Sequence, residues 1–162
     1  MKKHLLFGVA CLLLSITTSI DAQNSTCGTA AILAIDSNCG GSETGPGANA
    51  GDPTGNDDTD GNVCSSFYSD GDDFIYEYTA TTEDQLVLSL WATNTWTGLL
   101  VTEGCPTVGT CFASSTSNSA DETLTTPAMT INTVYYIHIS TFPSPQSPGQ
   151  FCLDASLMAP PM

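Results

Sequence analysis

The segment Gly55–Cys64, GNDDTDGNVC, and the turn Tyr68–Asp73, YSDGDD, place carboxylates and carboxamides at short, repeated spacing. Asn56, Asp58, Asp60 and Gly61 match the opening D-x-[DN]-x-[DN]-G of an EF-type calcium loop. In such a loop alternate side-chain oxygens converge and the glycine permits a sharp turn. The closing bidentate Glu is missing, because the twelfth position is Phe67. A calcium site must therefore take Asp70, Asp72 or Asp73 from the next turn, and Ca²⁺ needs roughly 6–8 oxygens. The candidate ligands are Asn56, Asp58, Asp60, Asp70 and Asp72, and Asp73 reads as a conformational residue at a strand start. The competing reading is a solvated loop of Asx-type turns.

Other residues offer less chemistry. Trp91 and Trp96 have flat faces of the kind that stack on sugar rings. In the alternation of its segment Trp91 falls opposite Leu86, Leu88 and Leu90, which makes it either part of a second buried layer or the candidate ligand platform. His138 alternates with Tyr135, Ile137 and Ile139 and reads as an outward surface residue without a nucleophile to serve. The carboxylates lie in polar loops, with no apolar pocket to raise one of them for glycoside cleavage. No catalytic residues are assigned, and the module is expected not to be an enzyme.

The elements that must hold these residues begin after an export signal. Lys2 and Lys3 precede a mostly apolar run from Leu5 to Ile20 and small residues near Ala22, the pattern of a secretory signal peptide over 1–22. Removing 22 of 162 residues leaves 140, close to the commonest size of a single domain. Residues 23–162 carry 16 acids and no Lys or Arg. That field repels phosphate backbones and anionic lipid, so nucleic acid and membrane surfaces are poor partners. No later stretch is apolar enough to span a bilayer. The mature chain keeps six cysteines, Cys27, Cys39, Cys64, Cys105, Cys111 and Cys152, which in an exported protein read as three disulfides. Spacing leaves the connectivity open. Cys105 and Cys111 flank a turn with Pro106 and Gly109 and are expected to pair locally; Cys27–Cys64 and Cys39–Cys152 are expected for the rest.

From Phe74 onward short alternating runs are separated by turn residues: FIYEYTA, QLVLSLW, GLLVTE, CFASS, ETLTT, VYYIHIS and QFCLDASL. This predicts an all-β fold, an antiparallel β-sandwich of jelly-roll type stapled by disulfides. AAILAI, residues 30–35, supplies a first strand, and 36–73 forms a long polar loop. The sandwich is expected over 23–157, with MAPPM at 158–162 as the start of a linker or a truncated end.

Several motifs resemble one another's counterparts in a known module. NSTCGTAAILAIDSNC is similar to an opening NDxCxxAxxL…C, GDDFIYEYTA to DDVWYxFTA, and GLLVTEGCPTVGTC to LxVYxGxCxxLxxC. NTVYYIHIST is similar to GxTYYIRVxT, and SPGQFCLDASL to a closing GxFxLxV strand. The chain thus resembles a six-cysteine accessory module of secreted Bacteroidetes proteins, of the bacterial pre-peptidase C-terminal-like β-sandwiches. Ile75 stands where that module usually has Trp, and His138 where a basic residue is frequent. The resemblance implies a core position for Trp96 and no catalytic residues. It also implies a place in adhesins, peptidases or glycoside hydrolases, often those exported by the type IX system. The function expected is a secreted, non-catalytic accessory or adhesion module, with a polysaccharide or cell-surface component as partner. The alternatives are a carbohydrate-binding module using Trp91 and loop carboxylates, and an accessory fragment of a larger peptidase or glycoside hydrolase.

If the acidic stretch binds calcium in the folded state, millimolar Ca²⁺ raises the melting temperature of the oxidised protein. An unchanged melting curve assigns the stretch to solvated loop.

Overall fold

Alternating apolar residues demand a sheet with one dry face, because successive side chains of a strand point to opposite sides. The computed structural model of the chain describes residues 27, 28, 30–40, 63–68, 74–142 and 149–161. Among them the strands are β1 (Ala31–Ile32), β2 (Ser37–Gly40), β3 (Phe74–Thr79), β4 (Gln85–Ala92), β5 (Thr97–Glu103), β6 (Thr110–Thr116), β7 (Glu122–Ala128), β8 (Val134–Thr141) and β9 (Phe151–Met158). They make a five-stranded sheet, β1-β3-β8-β5-β6, and a four-stranded sheet, β2-β9-β4-β7. Pairing is antiparallel except between β1 and β3. The fold is the expected all-β, disulfide-stapled β-sandwich, with no helix among the described residues. The signal segment 1–22 and the candidate calcium ligands Asn56, Asp58, Asp60, Asp70 and Asp72 lie outside the described residues.

The facing sides of the two sheets carry the alternation read from the sequence. Phe74, Tyr76 and Tyr78 of β3, Tyr135, Ile137 and Ile139 of β8, and Leu86, Leu88 and Leu90 of β4 form one buried cluster with Phe151 and Leu153 of β9. Pro127, which cannot donate to a ladder, is tolerated because β7 is an edge strand. The β4–β7 register shifts between Gln85 and Val87. There the Thr126 hydroxyl takes the Leu86 N–H at 2.9 Å.

AAILAI contributes a two-residue strand and then leaves the sheet. Asn38 turns the chain: its Oδ1 accepts the Ala34 N–H at 2.9 Å, and its Nδ2 donates to the Ala34 carbonyl at 2.9 Å. This clamp lets the polar segment SNCG pair with β9 in the other sheet, Cys39 opposite Cys152.

The outer side of the five-stranded sheet departs from the expected solvated face. His138 is 0% exposed, and Ile75 and Leu100, its register neighbours on β3 and β5, are equally dry. The surface position read for His138 is therefore corrected. A period of two assigns a face, but it does not say whether that face is covered. Part of the cover is segment 63–68. Val63 N–H donates to the Pro106 carbonyl at 3.0 Å, and the Tyr68 hydroxyl donates to the Ser117 carbonyl at 2.9 Å. The Tyr68 ring lies so close over Gly98 that a Cβ there would sit 2.6 Å from it, so the glycine is what admits the ring.

The disulfides are Cys27–Cys105, Cys39–Cys152 and Cys64–Cys111. The expected Cys39–Cys152 bridge is present, whereas Cys105–Cys111 and Cys27–Cys64 are corrected. Cys111 lies on β6 opposite Thr102, where it meets Cys64 of the covering segment. Cys105 sits in the β5–β6 turn, its carbonyl accepting the N–H groups of Val108 and Gly109, and reaches Cys27 instead. All three bridges are long-range, spanning 78, 113 and 47 residues. Restricting so long a loop in the unfolded chain contributes about 3–5 kcal/mol per bridge. Replacing Cys39 and Cys152 together by Ala is expected to cost about 3–5 kcal/mol in denaturant unfolding of the otherwise oxidised protein, and a loss below about 1 kcal/mol would contradict that account.

Candidate functional site

The turn Thr93–Trp96 joins β4 to β5 across the two sheets, and it ends with an unusual backbone. Trp96 has φ +62°, a left-handed conformation that bulky side chains rarely adopt and that costs about 1–3 kcal/mol. Flanking hydrogen bonds hold it there. The Phe142 N–H donates to the Trp96 carbonyl at 3.0 Å, and the Thr97 N–H donates to the Ser119 carbonyl at 3.2 Å. The Thr97 hydroxyl adds bonds to the carbonyls of Ser119 and Ala120 at 3.1 and 3.0 Å. On the other side, Thr93 N–H donates to the Gln150 carbonyl, and the Thr93 hydroxyl accepts the Gln150 N–H. Gly149, at φ +69°, passes against Thr93, where a Cβ would collide.

The Trp96 ring is 42% exposed, so the core position implied by the family resemblance is corrected. It packs against Phe142, just past the end of β8, with ring centroids 5.9 Å apart and planes at 61°. Phe67 meets the same Phe142 edge to face at 5.9 Å and 85°, and is itself 68% exposed. Tyr68 completes the group at 6.1 Å from Phe142. Four aromatic rings from three chain segments thus gather at one end of the sandwich. Phe67 and Phe142 carry no sequence motif. Their signal was an aromatic residue inside a run of small polar or proline residues, SSFYSD and TFPSPQSPG, with no strand alternation to bury it.

Behind this group lies a buried carboxylate. Glu122 of β7 is 5% exposed, and its two oxygens accept the hydroxyls of Ser115 (2.6 Å) and Ser117. Ser117 also offers its carbonyl to Tyr68. Burial, and then the negative charge of Glu122, push the Tyr68 phenol above its usual value.

Trp91 stands apart. It projects from the outer face of the four-stranded sheet, 51% exposed, in register with Cys152 and near Ser89 and Asp154 on the same face. Of the two readings of the alternation, a second buried layer or an outward ring, the structure has the outward ring. The loop carboxylates proposed to serve it lie outside the described residues. Among the described residues no three His, Cys, Asp or Glu side chains converge on a metal-sized space. The one buried carboxylate among them, Glu122, is taken up by its two serines.

The chain matches no family model, no curated protein and no solved structure. The three disulfides are compatible with an extracellular setting, and no helix among the described residues is long and apolar enough to cross a membrane.

The tyrosines set an alkaline limit. Burial raises Tyr76, and burial followed by the charge and hydrogen bond of Glu77 raises Tyr136, as burial and Glu122 raise Tyr68. A phenol whose folded value exceeds the ordinary 10.0 contributes its stability fully below pH 10 and loses it as pH rises through the folded value. Melting temperature is therefore expected to hold from pH 8 to about 10 and to fall above it, with absorbance of phenolate near 295 nm appearing on unfolding. Full phenolate absorbance before any loss of structure would refute this.

Proposed function

We propose that this chain is a secreted, non-catalytic accessory or adhesion module whose rigid sandwich presents binding surfaces to an extracellular partner. The observation that carries this reading is the aromatic group at the β4–β5 end: Trp96 and Phe67 stand in water on turns held by hydrogen bonds and by the Cys64–Cys111 bridge. Rings kept exposed on a stiff frame suit recognition, because little order remains to be lost on binding. The motif likeness to the pre-peptidase C-terminal-like module supports the same reading, as does the pairing of an export signal with a three-bridge fold. Such a module would act as one unit of a longer adhesin, peptidase or glycoside hydrolase. Calcium, if held by the acidic stretch, would order the segment that leads into the covering residues 63–68.

Carbohydrate binding through Trp91 is a second reading, favoured by the half-exposed indole on the outer face of the four-stranded sheet. Titration with polysaccharides would then change the tryptophan fluorescence of the protein and leave Trp91→Ala silent.

A weak module gains by repetition. Two copies joined by a flexible linker should bind extracellular matrix or cell-surface preparations with an apparent affinity raised on the order of 10²–10⁴ over one copy. Equal retention of the single and tandem forms, or none of either, would argue against the adhesion reading.

A further inference from the structure

We infer that the rings of Trp96, Phe67 and Phe142 form a subsite for a neutral polysaccharide chain, with Trp96 and Phe67 as its two stacking platforms. The inference rests on the reading of the chain as a binding module and names the ligand class of a site in which Phe67 and Phe142, unmarked in the sequence, join Trp96.

Trp96 supplies the first argument. Gly or Asn would take φ +62° at far less cost, and the Trp96 side chain, packed on Phe142, still leaves the residue 42% exposed. The position thus keeps a large aromatic ring partly in water on a strained backbone, an outlier of the kind that clusters at recognition sites. Phe67 makes the second. Its ring, more exposed still, touches Phe142 edge to face, and that geometry does not stack its faces away. Phe142 is the shared neighbour that spaces the two platforms.

Size and charge choose the ligand. Fully exposed rings of this kind offer about 150–250 Å² each, and these are part-covered, so the patch amounts to a few hundred Å². A stable protein partner needs about 800 Å² per side. The 16 acids and absence of Lys or Arg in residues 23–162 repel acidic glycans, phosphates and nucleic acid. A neutral pyranose has an apolar C–H face for the rings and a rim of hydroxyls.

The test is affinity electrophoresis and tryptophan fluorescence of the oxidised full chain with a soluble β-glucan, a galactomannan and an arabinoxylan. Alginate serves as the acidic control and a soluble chitosan as the cationic one. At least one neutral polymer should retard the protein more than either control does. Trp96→Gly should weaken that binding by about tenfold or more while the melting temperature changes little, because relief of the backbone strain offsets the lost contact with Phe142. A purely structural Trp96 would instead lower the melting temperature and spare binding. Phe67→Ala should weaken binding by about threefold or more and, as the more exposed ring, decides the matter if Trp96→Gly is poorly folded. Three results overturn the inference: no neutral polymer binds, chitosan alone binds, or affinity is lost in Trp91→Ala and kept in both Trp96→Gly and Phe67→Ala. The module reading survives each of these if tandem copies still gain on cell-surface material.

Discussion

The covalent attachment of a polar segment to the outer face of the five-stranded sheet is the constraint on which the rest of the structure depends. Residues 63–68, VCSSFY, have too little apolar surface to hold themselves against a backbone ordering cost of about 1–2 kcal/mol per residue. Cys64 is bonded to Cys111 on β6, and Tyr68 settles over Gly98 with its hydroxyl on Ser117. Between these two anchors Phe67 has no freedom to fold inward, and it stays beside Phe142. The same segment supplies part of the cover of a strand face on which His138 and Leu100 are fully buried. One bridge therefore contributes both to a dry outer layer and to an exposed ring.

Charge composition limits how such a molecule can satisfy its interior. With no Lys or Arg in residues 23–162, a buried carboxylate has no strong cation to pair with. Glu122 is met instead by two serine hydroxyls, and Thr97 and Thr126 spend theirs on backbone groups near turns and bulges. Hydroxyl donors cost little to desolvate compared with an ammonium or guanidinium group, so a cation-free chain can still close a dry sandwich. The uniformly negative field of residues 23–162 repels other polyanions.

Much of the frame was legible. From Phe74 on, a period of two identified each long strand to within a residue or two and put Phe74, Leu86, Ile137 and their partners on the core side. What escaped was whatever depended on a third body. The strand β2 exists because Asn38 folds the chain back toward β9, a polar clamp with no hydrophobic signature. The partners of Cys105 and Cys111 depend on where segments far away in sequence come to rest, and a turn between two cysteines says nothing of that. His138 was placed on the proper face, but coverage of that face comes from segments outside its sheet. Trp91 was readable because only its own strand decides its direction, whereas Trp96 is aimed by a left-handed turn that propensity would give to glycine.

The contrast between the two indoles bears on how the molecule is built to be used. Trp91 lies in the middle of a regular ladder, where its neighbours are fixed by pleat and register and the face beside it is flat. Trp96 lies at the meeting of the β4–β5 turn, the end of β8 and the bridged segment, where three chain segments each contribute a ring. A flat ladder can vary one residue at a time, because its geometry does not depend on what the side chain is. The ring cluster cannot: remove the bridge, the glycine under Tyr68 or the hydrogen bonds about Trp96, and its relative positions are lost together. Positions that must agree among three segments are expensive to assemble: Cys64–Cys111 fixes the covering segment near the far end of β5, at the level of Thr102, and that segment then runs back along the sheet to bring Phe67 and Tyr68 to the left-handed turn of Trp96 at the start of the strand.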